Sequence, residues 1–193
     1  SHAAKMLLSK VYMLLATNPE LQDDGLSEND YWNLAYTEAK DIYDSGEYSL
    51  VSDYYSLFDG TNENSTESIF ELQNSQDAGN SQMGRNYTPW RYKSGQAFGW
   101  FSVSASVYDY HFAHYPSDPR LDATYISDYT QRCGGCDTEG NPHRTYPTNS
   151  SRSGFGNAHP YLFKHAEKDK SHTNQYNSQN LIIFRYADLL LML

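Results

Sequence analysis

The sequence is poor in apolar residues and in basic residues, and it has no long apolar run. Apolar residues make up 38% of the 193 residues, against the ~45–50% of ordinary globular chains. No apolar stretch approaches the ~18–20 residues of a transmembrane helix, which excludes a membrane span. Lys and Arg number 14 against 24 Asp and Glu, for a net charge of −10. This balance disfavours binding to nucleic acid or anionic lipid.

Aromatic residues, by contrast, are plentiful. They form 15% of the chain, with 18 Tyr, 8 Phe and 3 Trp. Disordered chains are poor in aromatics, so we expect a folded protein, and the length suits one domain. A polar, Tyr-rich surface suits a neutral, hydroxyl-rich ligand better than a polyanion.

The first 80 residues have helical patterns and carry 15 acids but only 3 bases. An apolar stripe predicts a helix over 3–16, which Asn18-Pro19 ends. A second helix begins at Ser27 or Asn29 and ends at Asp44-Ser45-Gly46, with Gly46 left-handed. Its face includes the small Ala35 and Ala39, and a third helix is predicted over 51–58. Such pairs are typical of tetratricopeptide-like repeats, although periodicity alone fits any antiparallel helix bundle equally well.

The remaining chain is less regular, with 9 acids and 11 bases over 81–193. Alternation predicts a strand over 67–73, and weaker patterns predict helices over 103–115 and 181–193. Ten aromatics lie within 81–115, and the stretch 131–160 is dense in turn residues. A loop region of this length is unusual in a compact domain unless it has a function.

The aromatic segment is the strongest candidate for a binding site. Tyr and Trp faces stack on the C–H faces of sugar rings, while nearby polar side chains bind the hydroxyls. The favoured interpretation from sequence alone is that the rings fold inward as small cores beneath the loops. The predicted ligand-binding set is Tyr87, Trp90, Arg91, Tyr92, Gln96 and Trp100.

Other motifs have weaker claims. Cys133 and Cys136 form one C-x-x-C, too few ligands for structural zinc even with His143, and we predict a local disulfide in an oxidising compartment. His111 and His114 have metal-binding spacing, but an ordinary surface pair is the favoured interpretation. Nucleotide-binding and hydrolase motifs are lacking. Glu67 and Glu71 flank a strand without indicating a glycosidase. We therefore predict no catalytic residues, metal or cofactor.

Five segments in order resemble the SusD/RagB family of surface glycan-binding lipoproteins from Bacteroidetes outer membranes. Residues 3–12 resemble its AA-x-x-LL-x-x-VY helix, and 31–58 and 67–71 resemble its central part. Residues 118–124 resemble its DPRL-x-x-T element, and 184–192 its RYADxLLM helix. Within these motifs we interpret four charged residues as structural, through ion pairing and packing: Asp118, Arg120, Arg185 and Asp188. The C-x-x-C is not part of the family pattern.

The resemblance implies a mainly α fold, with tetratricopeptide-like helices over 1–59 and a loop-rich ligand-binding insertion with short strands over 60–180. Residues 181–193 would start a further, truncated repeat helix, so the sequence would be the central part of a longer protein. It implies a non-enzymatic glycan binder, lipid-anchored at the outer membrane, with a SusC-like TonB-dependent transporter as partner. The alternatives are a helical-repeat scaffold that binds a protein on its acidic face, and a carbohydrate-active hydrolase.

Overall fold

The computed structural model describes residues 1–22, 25–79, 81–90, 92, 97–130, 143–146, 159–166, 168 and 176–193. The chain divides into two compact units, each built from separate stretches of sequence. Unit 1 comprises 1–52, 64–72 and 182–193, and unit 2 comprises 53–63 and 73–181. None of the helices in these parts combines the length and apolar character that crossing a bilayer requires.

Unit 1 is built on two long helices. Helix α1 (His2–Thr17) is followed by a 3₁₀ turn (Pro19–Leu21), and α2 (Glu28–Asp44) packs against α1. Strand β1 (Ser68–Leu72) pairs with β6 (Leu181–Arg185), whose last residue leads into α6 (Tyr186–Met192). The core cluster of this unit consists of Met6, Ala39, Ile42, Ile69 and Leu189.

The long helices begin and end where local chemistry predicts. Ser27 caps α2 in a capping box with Asp30, which satisfies N–H groups that the first turn leaves unpaired. Gly46 follows the helix with φ +66°, the left-handed conformation that glycine adopts at little cost. Against α1, Ala35 and Ala39 are buried, and the Ser9 hydroxyl donates to the Ala35 carbonyl at 2.7 Å. The small side chains therefore allow the close helix approach predicted from the sequence.

Two buried glutamates organise the strand side of unit 1. Glu67 is 3% exposed and accepts from Arg185 Nη1 at 2.8 Å and from the Val51 N–H at 2.9 Å. Glu71 accepts from the N–H of Asn64, with 3.1 and 3.0 Å to its two oxygens. Asn64 has φ 52°, so Glu71 supports a turn in a left-handed conformation. These carboxylates therefore have structural partners.

Two helix predictions are wrong in part. Residues 181–185 form strand β6, and only 186–192 are helical. The run Leu181-Ile182-Ile183 has no helical period, and pairing with β1 decides its conformation. In 51–58 only a 3₁₀ turn forms (Tyr55–Phe58), because the Asp53 carboxylate accepts from the Tyr55 N–H at 3.0 Å and favours a tight turn.

The described parts of unit 2 contain short elements. The helices there are α3 (Met83–Tyr87), α4 (Ala105–His114) and α5 (Arg120–Thr124). Strand β2 (Tyr125–Ile126) pairs antiparallel with β5 (Tyr161–Leu162), and β3 (Asp128–Thr130) pairs antiparallel with β4 (His143–Thr145). Within the first pair Tyr125 lies opposite Leu162, and within the second Tyr129 lies opposite Arg144.

Side-chain amides connect distant parts of unit 2. The Asn180 N–H donates to Glu63 at 2.6 Å, and its side-chain oxygen accepts from the Asn74 N–H at 2.9 Å. Gln179 donates to the Phe58 carbonyl at 2.8 Å. Such bonds satisfy backbone groups that short strands and helices leave unpaired. Polar side chains therefore hold the backbone in place at Phe58, Asn74 and Asn180.

Candidate functional site

Trp100 is the most exposed tryptophan side chain of the chain, with 68% of its surface accessible. It stacks on Phe98, with ring centroids 5.5 Å apart and planes at 18°. The Arg85 guanidinium lies 3.7 Å from the centroid of the Phe98 ring. We call Arg85, Phe98 and Trp100 the Trp100 platform. Its flat indole is supported by stacking while much of its surface faces solvent, as a ligand-stacking residue requires.

The backbone of helix α3 holds this platform in place. The N–H of Phe98 donates to the Arg85 carbonyl, and that of Trp100 to the Asn86 carbonyl, both at 2.9 Å. Between them, Gly99 has φ +57° and packs so closely that a Cβ there would lie 2.6 Å from the backbone nitrogen of Trp90. Only glycine combines this backbone conformation with so little space.

The other described members of the predicted set lie deeper. Tyr87 stacks on Phe101 at 4.3 Å between centroids. The Tyr92 hydroxyl donates to the Lys168 carbonyl at 3.3 Å, and its ring meets Tyr129 edge-on. Half-buried Trp90 accepts from the Tyr129 hydroxyl through its carbonyl at 3.2 Å. The Tyr87 and Tyr92 rings therefore pack against other rings of unit 2, whereas Trp100 faces outward.

Four predicted residues cannot be placed in this way. Arg91 and Gln96 of the binding set, and Cys133 and Cys136 of the predicted disulfide, lie outside the described residues.

A neighbouring ring cluster holds a histidine in its neutral form. His165 packs edge-on against Phe58 and Tyr87, with centroids 5.9 and 5.2 Å away. Burial, together with the charges of Lys164 and Lys168, lowers the pKa of His165 to about 4. Near neutral pH this side chain therefore serves as an uncharged part of the packing.

A second aromatic surface lies along helix α4, outside the predicted set. A cavity of about 670 Å³ is lined by Ser106, Val107, Tyr110, His111, Tyr115 and Arg120, and we call it the α4 cavity. Tyr110 stacks on His114 with centroids 4.0 Å apart. Tyr110 and Tyr115 are among the ten aromatics of 81–115. The sequence has no signal that they line a cavity, because the cavity depends on how α4 is packed.

An ion pair fixes one wall of this cavity. Asp118 accepts from Arg120 Nε at 2.8 and 2.9 Å and also from its Nη2, and the Arg120 N–H adds a bond of 2.9 Å. These bonds hold the pKa of Asp118 well below its ordinary value. His111 Nε2 lies 3.1 Å from the same carboxylate, and Nδ1 lies 3.2 Å from the Tyr125 hydroxyl.

The four charged motif residues are all found in ion pairs. Asp118 pairs with Arg120, Arg185 with Glu67, and Asp188 with Lys10 at 2.7 Å. The two histidines of α4 have separate partners, since His114 Nδ1 bonds the Tyr110 carbonyl at 2.8 Å. Within the described residues, no group of three or more His, Cys, Asp or Glu side chains is arranged to hold a metal ion.

Both surfaces lie in a part of the chain that matches a known family. The model of the SusD family matches residues 66–193, which is most of the chain and includes the Trp100 platform and the α4 cavity. The chain belongs to the SusD family. A search of curated proteins found no match.

Solved structures of SusD proteins share the fold. A SusD superfamily protein from Parabacteroides distasonis is 19% identical over 99% of this chain, with a TM-score of 0.72. A structure with a xylogluco-oligosaccharide is 19% identical over 100%, with a TM-score of 0.65. Surface glycan-binding protein A from Bacteroides thetaiotaomicron, in complex with laminarihexaose, is 24% identical over 96%, with a TM-score of 0.58.

These likenesses confirm the predicted fold class, tetratricopeptide-like helices with a loop-rich insertion. The chain spans 38% of the length of the first two structures and 42% of the third. The domain bounds 1–59, 60–180 and 181–193 stay a prediction.

Proposed function

We propose that this chain binds a neutral oligosaccharide, with Trp100 as the stacking residue of its site. The observation that carries the proposal is the exposed indole supported by Phe98 and Arg85 in a SusD family chain. Two of the similar structures were solved with a xylogluco-oligosaccharide and with laminarihexaose, which supports a glycan as the ligand class. Tyr87, Trp90 and Tyr92 remain candidate ligand contacts beside Trp100, and Arg91 and Gln96 remain candidate hydroxyl ligands.

We extend the proposal to the physiological role that the family resemblance implies. The full-length protein would be a non-enzymatic surface glycan receptor, lipid-anchored at the outer membrane and paired with a SusC-like TonB-dependent transporter. The geometry gives no support to the hydrolase alternative, because Glu67 and Glu71 are buried and bonded to structural partners.

The scaffold alternative also has weak support. It relies on the acidic face of α2, where Asp41 pairs with Lys5 and Asp44 pairs with Lys40. These pairs offset part of the negative charge that a basic protein partner would recognise.

Calorimetry on the 193-residue chain tests the proposal, with laminarihexaose and a xylogluco-oligosaccharide as probes. Trp100→Ala should weaken the affinity by about tenfold or more, because a stacking aromatic acts as a binding hot spot. The matched control is Trp32→Ala, an exposed tryptophan in unit 1, which should leave the affinity unchanged. Equal affinities of the two variants would refute the role of Trp100. If the wild-type chain binds neither of the two probes, the ligand class is refuted.

A further inference from the structure

We infer that the α4 cavity is a second saccharide-binding subsite, which takes a neutral sugar ring against Tyr110. The inference rests on the proposed glycan-binding function and adds a site that shares no lining residue with the Trp100 platform. Its volume of about 670 Å³ lies within the ~300–1,000 Å³ of small-molecule sites.

The apolar side chains of the cavity are largely exposed. Helix α4 has no buried residue, and Val107, Tyr110 and Tyr115 are 54%, 59% and 56% exposed. Contiguous exposed apolar groups on a folded protein mark an interaction site. Here they line a concave surface, which favours a small ligand over a flat protein partner.

Ring packing fixes how the aromatic groups are presented. Tyr110 stacks on His114 at 4.0 Å between centroids and 23° between planes. Tyr115 meets the His111 ring edge-on at 6.1 Å, and His111 is itself bonded to Asp118 and Tyr125. The rings therefore have neighbours that restrict their rotation before a ligand arrives, which lowers the entropy cost of binding.

The polar groups of the cavity favour a neutral ligand with hydroxyl groups. Arg120 directs Nε and Nη2 to Asp118, and the guanidinium has five N–H donors, so further donors remain for a ligand. Because Asp118 balances its charge, an anionic ligand would gain little net attraction. Ser106 adds a hydroxyl, which lies 2.8 Å from that of Ser104. Ring faces beside such donors match the C–H faces and hydroxyls of a sugar.

Two substitutions test the cavity without touching the platform. Tyr110→Ala removes the stacking ring, and Val107→Trp fills the cavity from an exposed helix position. Calorimetry with laminarihexaose and the xylogluco-oligosaccharide should show about tenfold weaker binding for each variant. The control is Tyr36→Ala, a 49% exposed tyrosine on α2 in unit 1, which should bind as the wild type does. Thermal unfolding of each variant checks that the fold is retained.

A double variant separates this inference from the proposed function. Val107→Trp added to Trp100→Ala should weaken the residual binding of Trp100→Ala further. If Trp100→Ala weakens binding while neither cavity variant has an effect, the subsite is wrong and the proposed function stands. If the cavity variants weaken binding and Trp100→Ala does not, the subsite stands and the platform assignment fails. Absence of binding by the wild-type chain overturns both.

Discussion

Each of the two units is stabilised internally by a different kind of interaction. In unit 1, long helices bury a cluster that includes Met6, Ile42 and Leu189, and one buried acid connects the strand side. In the described parts of unit 2 the helices have ten residues or fewer, and aromatic rings and side-chain amides contact the segments between them. The comparison teaches that regular structure and aromatic packing are alternative ways to fix a backbone. The most exposed tryptophan, Trp100, belongs to the second kind of region.

The largest expected effect comes from removing Glu67, one of the two buried glutamates of unit 1. Glu67→Ala leaves Arg185 without this carboxylate and the Val51 N–H without its acceptor. Breaking a buried ion pair from one side costs about 3–5 kcal/mol. Urea unfolding should show a loss of this size in the free energy of unfolding.

The control for this prediction is Glu20→Ala, an acid at an exposed position of the same unit. It should change the free energy of unfolding by no more than about 0.5 kcal/mol. A similarly small loss for Glu67→Ala would show that unit 1 relies on its apolar cluster alone, and the contrast between the units would weaken.

A pair of glycines compares the two units directly. Gly99 in unit 2 and Gly46 in unit 1 have φ +57° and +66°. A Cβ at Gly46 meets nothing within 4 Å, whereas one at Gly99 lies 2.7 Å from the Tyr161 ring. Gly46→Ala should therefore cost about 1–2 kcal/mol for its conformation alone. Gly99→Ala should cost about 2–4 kcal/mol, because overpacking adds to that.

Urea unfolding of both variants measures this difference. Gly99→Ala should also weaken oligosaccharide binding, since Gly99 lies between Phe98 and Trp100, whereas Gly46→Ala should not. Equal stability losses would mean that the loops of unit 2 move aside easily, and that ring packing there is loose.

The sequence predicts most of unit 1 because its information is local. Helical period, the Ser27 cap and Gly46 are sufficient for α1 and α2, and alternation is sufficient for β1. The strand at 181–185 escaped prediction because its partner lies more than a hundred residues earlier in the chain. Pairing with a distant segment leaves no periodic signal in a short apolar run.

The candidate site is less predictable for the same reason. Tyr92 and Trp100 have similar polar and aromatic neighbours in sequence, yet Tyr92 packs against Tyr129 and Phe163 while Trp100 faces solvent. Which ring turns inward depends on tertiary partners, so a composition-based prediction names the right segment without separating support from contact surface. The α4 cavity follows from the same tertiary placement.

The last prediction concerns an effect that appears only on acidification, the pH dependence that His165 gives to unit 2. Its pKa falls from 6.5 to about 4 on folding, so the unfolded chain takes up the proton first as pH drops. The free energy of unfolding should therefore decrease between pH 6.5 and 4, by on the order of 3 kcal/mol from this group. Above pH 6.5 the contribution of His165 is fully present, and below pH 4 it is lost without further change.

Unfolding of His165→Gln over the same pH range isolates this contribution, because the carboxylates that also titrate there are shared with the wild type. The variant should have a shallower loss of stability on acidification, whereas His159→Gln, at an exposed position, should follow the wild type. If His165→Gln instead keeps the full wild-type slope, the imidazole is hydrated in the folded state. The ring cluster around Phe58 and Tyr87 would then admit water, and unit 2 could not be held by dry aromatic packing at that point.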